Sequence, residues 1–390
     1  MSNRRLLLVL LLVTLFPSRI QGRNFSSGRP TITVENARNI SLIQTFEVDV
    51  QWHRTIAFSP DGSLLAINGL NPDIELWDTA TWDSRGTLKG LTDQPYYMVF
   101  SPDGTKLLVN GSYGCSYNIA TGDPTVILWD LSTQEEIRRW EHLKTCGLSS
   151  YHSYGNRTYI TAFSPDNQLV ALVQNDGLHL YDLSNPSYDL YIPPIESGIM
   201  NSVAPHVEFS PDNQLIAYQR YGESGVGLWN VATGDLIGSF RDFYHPSFNR
   251  NGDLLLMSGG NGDFTILNIP TGEMHCSSHI TVGGGHSVTS WSPDDNMFTI
   301  FDSLWDIENC TEVATIGSLP SFSPDGNLIA AIPTIGDNSF AIWNTQSGDK
   351  VIEIPVSGFA HNLVDLQFSP DGTMIATTDI YGETKIYAVP

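Results

Sequence analysis
The sequence predicts an all-β fold: an eight-bladed β-propeller of four-stranded antiparallel blades, its ring closed by an N-terminal strand. Seven blades plus one irregular unit is the alternative. Three observations predict this. First, the signature Phe58-Ser59-Pro60-Asp61-Gly62 returns at Phe100, Phe163, Phe209, Phe248, Trp291, Phe322 and Phe368. The eight copies stand 42, 63, 46, 39, 43, 31 and 46 residues apart, the kind of period that marks a repeat architecture. Second, an apolar run follows each copy, as in Leu64-Leu65-Ala66-Ile67 and Leu328-Ile329-Ala330-Ala331. Third, a large side chain recurs one strand further on, as in Leu76-Trp77-Asp78, Leu128-Trp129-Asp130, Leu228-Trp229-Asn230, Leu304-Trp305-Asp306 and Ile342-Trp343-Asn344.

Each part of the unit has a local reason. Pro pre-sets the second position of a tight turn, Asp caps it, and Gly or Asn tolerates the left-handed residue that closes it. The aromatic residue ends the strand before the turn, and the apolar run is the strand after it, which makes a hairpin. The Trp segment is a third strand. Several copies run on into a turn such as Thr233-Gly234 or Ser347-Gly348 and a short fourth strand. Four such strands repeated radially form a propeller blade.

These residues resemble the WD-repeat β-propeller family, from about residue 38 to the end of the chain. The resemblance implies that Trp77, Asp78, Trp129, Asp130, Trp229, Trp305 and Trp343 are structural repeat residues. It also implies a structural role for histidines near the strand-ending aromatic, in a network with Ser or Thr, Asp and Trp. His206 and His245 stand three residues before that aromatic, and His53 and His286 five before it. Asp123 and Asp337, each six before a Trp, fit the network's Asp, but most blades lack one or more members.

At the N-terminus, Arg4 and Arg5 precede the apolar run Leu6 to Phe16, which Pro17 breaks. A basic start and a short apolar segment describe a secretory signal peptide over 1–22, too short for a comfortable membrane span. The expected location is therefore extracellular or in the cell envelope, with no membrane span once the signal is cleaved. Residues 23–37 are polar and read as a linker ahead of a propeller over 38–390. Asn39 to Phe46 looks like a fourth strand with no blade before it, and the last unit stops after its third strand. Together they would complete one blade and remove the exposed sheet edges.

Strand alternation puts the turns after strands one and three on one face of the disc. The remaining connections lie on the other, the loop face. Two long insertions, Gly111 to Pro124 and Glu141 to Arg157, fall on the loop face and present Tyr113, Tyr117, Trp140, His142, Tyr151, His152 and Tyr154. Long loops on a rigid scaffold commonly carry binding, and aromatic residues are favoured at contact centres. The competing reading is a loop packed on its own blade. The short interval from Trp291 to Phe322 still holds strands at Met297–Phe301, Ser303–Ile307 and Glu312–Ile316, hence the count of eight.

Of the four cysteines, Cys115 and Cys146 lie in the two insertions and are paired here. Cys276, on an outer strand of blade 5, and Cys310, at a turn of blade 6, face the difficulty that outer edges of neighbouring blades diverge. Sequons occur at Asn24, Asn39, Asn110, Asn156 and Asn309.

The net charge of −23 argues against nucleic acid, which needs clustered basic surface. Cys-x-x-Cys, His-Glu-x-x-His, the phosphate-binding glycine loop and Gly-x-Ser-x-Gly are absent from the sequence. His275 and His279 would lie about 13 Å apart along a strand, so they are read as surface residues. The sequence therefore calls for no cofactor and no metal. The expected function is a non-catalytic scaffold whose loop face engages a protein or a surface glycan. The alternative is a hydrolase or small-ligand receptor at the mouth of the central channel, which would need three or more His, Asp or Glu converging there. A hydrophobic patch on the rim would instead suggest membership of a larger assembly.

Overall fold
The computed structural model describes residues 28–46, 55–68, 72–91, 95–111, 125–141, 161–174, 176–195, 205–219, 225–259, 262–280, 289–333, 339–356, 363–379 and 382–390. They form eight four-stranded antiparallel sheets. Blades 1 to 4 begin at the inner strands Ile56–Phe58, Pro95–Phe100, Thr161–Phe163 and His206–Phe209. Blades 5 to 8 begin at Phe243–Phe248, Ser290–Trp291, Ser318–Phe322 and Leu363–Phe368. Inner strands of successive blades lie beside one another around the axis. The seven-bladed alternative is thereby excluded. Blade 6, the doubtful one, has its remaining strands at Met297–Ile300, Ser303–Asp306 and Thr311–Thr315.

Blade 8 takes its outer strand from the other end of the chain: Ser41–Phe46 pairs antiparallel with Thr384–Ala388. The segment before that strand is docked as well. Of the residues read as a linker, 28–37 are described. Ile32 and Ala37 are fully buried against blades 7 and 8. The Ile32 N–H donates to the Gly372 carbonyl at 2.8 Å, and Arg29 Nη1 donates to the Thr79 carbonyl of blade 1 at 2.9 Å.

The core is divided among the seams, one apolar cluster per pair of neighbouring blades. Alternate residues of a middle strand feed opposite seams. Ile329 and Ala331 enter the cluster with blade 6, and Ala330 and Ile332 the cluster with blade 8. That is why the second strands read as continuous apolar runs, since a strand buried on both faces needs apolar residues on both.

Candidate functional site
The face that carries the signature turns is a closed ring of inter-blade joints. Within a turn, the Ser hydroxyl donates to the Asp carboxylate, as Ser59 does to Asp61 at 2.6 Å, and also accepts the Leu64 N–H at 2.9 Å. Burial works to raise these carboxyls. The Ser hydroxyl and the backbone N–H two residues on outweigh it, and Asp61, Asp103, Asp294 and Asp325 sit below the usual carboxylate range.

Between turns, the fifth residue is always left-handed and touches the preceding blade. Gly104 packs on Pro60, Gly252 on Pro211, Gly326 on Pro293 and Asp294, Gly372 on Pro324, and Gly62 on Asp371. Where the fifth residue has a side chain, it reaches back instead. Asn167 Oδ1 accepts the Asp103 N–H at 3.0 Å, and Asn213 Oδ1 accepts the Asp166 N–H at 3.4 Å. Asp295 accepts the Arg250 and Asn251 N–H groups at 2.7 and 3.1 Å.

The turns after the third strands share a second device. Asp78 accepts the N–H groups of Ala80 and Thr81, and Asp130 those of Ser132 and Thr133. Asn230 and Asn344 do the same, so the repeated Asp or Asn is a turn cap. Four residues on, the chain is again left-handed, at Trp82, Gln134, Gly234, Gly272, Cys310 and Gly348. Of the repeated aromatics, Trp129, Trp229, Trp305 and Trp343 are buried in the seams and Trp77 is half-buried. The Trp77 indole N–H donates to Glu75 at 3.2 Å, whereas those of Trp129, Trp229 and Trp305 find no acceptor among the described residues. The Asp123 and Asp337 positions of the expected network lie outside the described residues.

Cys276 and Cys310 form a disulfide with a Cα–Cα distance of 6.0 Å. The outer edges of blades 5 and 6 therefore do not diverge at this point. Cys310 occupies the left-handed position that ends the Asp306 turn, with φ +52°, and the turn lies against the outer strand of blade 5 that carries Cys276. His279, three residues beyond Cys276, pairs with Asp263 at 2.8 Å.

On the loop face, Tyr113, Cys115, Tyr117, His142, Cys146, Tyr151, His152 and Tyr154 lie outside the described residues. Trp140 is described and buried. Its ring stands 5.3 Å from Tyr181 of blade 3, and the Arg138 guanidinium lies 4.8 Å from both rings. Trp140 thus walls the seam between blades 2 and 3, at the point where the second insertion begins. The ladder continues through His179, which stacks on Tyr181 and lies between the carboxylates of Asp189 and Asp176, at 3.0 and 3.2 Å.

Near the axis, sequence reasoning missed Glu208. In blades 4, 7 and 8 the residue before the strand-ending aromatic reaches toward the next blade. Ser321 accepts the Phe368 N–H at 2.9 Å and Gln367 donates to the Ile56 carbonyl at 2.8 Å. Glu208 accepts the Phe248 N–H at 3.3 Å, while its other oxygen stands 3.7 Å from His206 Nε2. Burial pushes the Glu208 carboxyl up to about 8, against the lowering effect of the Phe248 N–H and the Ser247 hydroxyl. Burial also pushes the His206 imidazole down to about 3. The His245 ring is 6.0 Å from that of His206. Its φ of +49° is matched by Leu319 at the same place in blade 7, but not by Thr55, Tyr97, His206 or Asp365 at that place in blades 1, 2, 4 and 8. Among the described residues, no three His, Cys, Asp or Glu side chains are grouped to hold a metal ion, and no helix is long and apolar enough to cross a membrane.

No protein-family model matches the chain. WD repeat and SOCS box-containing protein 1 of Danio rerio is 28% identical over 137 residues, which cover 35% of this chain and 28% of that protein. WD repeat-containing protein 1 of Xenopus tropicalis is 24% identical over 368 residues, covering 86% of this chain and 53% of its own length. The fold matches the crystal structure of the Cps50 (Swd1) β-propeller domain of Myceliophteria thermophila, with a TM-score of 0.56 and 15% identity over 90% of this chain and all of that one. The chain is a WD-repeat β-propeller. This WD-repeat propeller spans between about a quarter and about half of the length of the two relatives it matches. At 15% identity, the Cps50 comparison shows the fold of the propeller alone.

Proposed function
We propose that the chain is an exported, non-catalytic WD-repeat scaffold that binds a protein partner through its loop face. The observation that carries this reading is the contrast between the two faces. On the turn face each signature turn contacts the one before it. On the other side, the sequence has long connections, 112–124 after strand Lys106–Gly111 and 141–160 after strand Glu136–Trp140, and Trp140 at the end of the latter strand walls a seam with Arg138 and Tyr181. A rigid ring with its long loops on one side suits recognition. The names of the relatives, all WD-repeat proteins in the cases given above, agree with a scaffold. Export is supported by the basic and apolar N-terminal segment and by the Cys276–Cys310 disulfide, a bond that persists mainly in oxidising compartments. A surface glycan is the second ligand class that the aromatic-rich insertions suit.

The test is affinity capture from an extracellular or envelope fraction with the mature chain, beside a variant whose residues 112–124 and 141–157 are replaced by short Gly/Ser turns. A partner retained by the intact chain and lost by a variant with unchanged melting supports the reading. Identical capture by both folded proteins overturns it. A hydrolytic turnover that survives loop replacement would place function at the axis instead.

A further inference from the structure
The outer strands of blades 2 to 5 carry exposed apolar side chains, and these peak at one seam. Leu236 and Ile237 of blade 4 are 47% and 56% exposed, and Met274 of blade 5 is 65% exposed. Large apolar side chains left this open in a cluster mark interaction sites. Above its apolar cluster, the seam between blades 4 and 5 is open at one turn position where two other seams are closed, although the Phe240 ring lies 3.2 Å from a Cβ position at Gly238. The left-handed turn glycine of blade 4, Gly234, has the Leu190 side chain of blade 3 within 3.6 Å of a Cβ position, and Gly348 of blade 7 meets the Val313 carbonyl of blade 6 at 2.8 Å. Gly272, the same residue of blade 5, has nothing within 4 Å. Gly238 adds no side chain to the facing strand.

The strand at this notch is a poorly guarded edge. Leu236–Arg241 is last in its sheet, so its outer backbone groups face no further strand. Sheet edges are ordinarily blunted by charges or Pro. The outer strand of blade 7 has Lys350, Glu353 and Pro355, and that of blade 2 has Glu136, Arg138 and Arg139. Blade 4 has only Arg241, at the far end. The bulge that displaces Ile237 leaves Gly238 to Arg241 in regular register. Around the notch the charge is acidic: Asp235 and Glu273 are exposed directly beside Leu236 and Met274, and Asp242 is exposed beyond Arg241, on a chain of net charge −23. The disulfide at Cys276, two residues from Met274, fixes the blade 5 strand to blade 6. The notch is thus held open before anything binds, which lowers the entropic cost of docking.

We propose that this rim notch docks an extended peptide segment that alternates apolar and basic side chains, added as a fifth strand to blade 4. Its apolar side chains would sit over Leu236, Ile237 and Met274, and its cations beside Asp235 and Glu273. This surface is separate from the loop face and stands whether or not that face binds a protein.

The experiment uses the intact chain and two fluorescein-labelled octapeptides, one alternating Lys and Leu, the other Glu and Leu, read by fluorescence anisotropy. The Lys-Leu peptide is expected to bind, to weaken with added salt, and to lose at least tenfold in affinity for Ile237→Ser/Met274→Ser. The control Leu42→Ser, on the opposite rim, is expected to leave binding unchanged. Hydrogen exchange of the unmodified protein should show new protection over 236–241 when the peptide is added, a readout that needs no variant. Equal affinity for the Glu-Leu peptide, equal loss with Leu42→Ser, or protection elsewhere overturns the proposal. A dimer in sedimentation that the double variant abolishes would likewise overturn it and assign the patch to a second copy of the chain.

Discussion

At the seam between blades 1 and 2, Gly104 rests on Pro60 and the joint is a packing contact. At the seam between blades 5 and 6, the same two places hold Asp295 and Arg250. Arg250 stands where the other turns have Pro, so it brings a backbone N–H that Pro lacks. Asp295 stands where others have Gly or Asn, and its carboxylate takes that N–H at 2.7 Å, the Asn251 N–H at 3.1 Å and the Asn249 side-chain amide at 3.2 Å. The Arg250 side chain crosses the same seam to the Pro293 carbonyl. Two copies that look eroded one at a time are complementary as neighbours. The difference teaches that the repeat constrains the joint between turns as much as each turn. Left-handed backbone is needed at every fifth position, and Gly, Asn and Asp meet that need with different glue.

The seam between blades 5 and 6 also carries the Cys276–Cys310 tie, so the comparison is first broken by removing it. Cys276→Ser/Cys310→Ser releases a cross-link across 34 residues. Chain entropy puts its contribution at up to about 4 kcal/mol. The melting temperature should fall clearly, and reductant should lower the native protein to the same value. Next comes a double-mutant cycle. Asp295→Gly removes charge-assisted bonds and should cost about 2 kcal/mol. Arg250→Pro strands one side of the carboxylate and should also destabilise. The double variant recreates the packed joint of blades 1 and 2 and should recover more than about 1 kcal/mol of the summed loss in denaturant titrations. Strict additivity would mean that the two residues act independently.

Smaller effects sharpen the other side. Gly104→Ala puts a Cβ into left-handed backbone with ordinary contact at Pro60 Cδ, 3.6 Å away, and should cost about 1 kcal/mol. Gly104→Asn should cost less, because Asn tolerates that conformation and can hook the preceding turn as Asn167 does. A further effect is set by pH at the axis. Glu208 is raised from 4.5 to about 8, so the folded state binds the extra proton and stability falls as pH climbs through that window. His206 is lowered from 6.5 to about 3, so its contribution is lost as pH falls from 6.5. The two slopes oppose between 4.5 and 6.5. Above 6.5 only the Glu208 slope remains. Glu208→Gln should therefore flatten the decline in melting temperature between pH 6.5 and 8 and, by removing the opposing slope, steepen the rise between 4.5 and 6.5.

The ring was legible because Pro, Asp, Gly and the aromatic each answer a local backbone need, and local needs survive in one dimension. The closing strand was legible for a related reason: a fourth strand without a blade and a blade without a fourth strand require each other. The Asp295–Arg250 joint was not, because each copy was compared with the common pattern and not with the turn beside it. Cys276–Cys310 was legible only as a possible pairing, because it depends on where a left-handed Cys310 aims its turn. Glu208 escaped because only register shows that the residue before the aromatic in blades 4, 7 and 8 reaches for the next blade. Of the aromatic residues assigned to the loop face, Trp140 turns out to build the wall of a seam. The reason is that a strand-ending Trp beside a neighbouring Tyr and an Arg buries more surface than it could expose.

The pairing of Ser41–Phe46 with Thr384–Ala388 has a consequence for the order of events during synthesis. The strand made before every blade is used last. It must wait, unpartnered, until Thr384–Ala388 is made, and contacts of such long sequence separation form slowly. Until then the ring is an open arc. The rate of closing it is thus set by one pairing, and a ring interrupted anywhere short of that pairing displays the same unmatched edge, a uniform mark by which open rings can be told from closed ones.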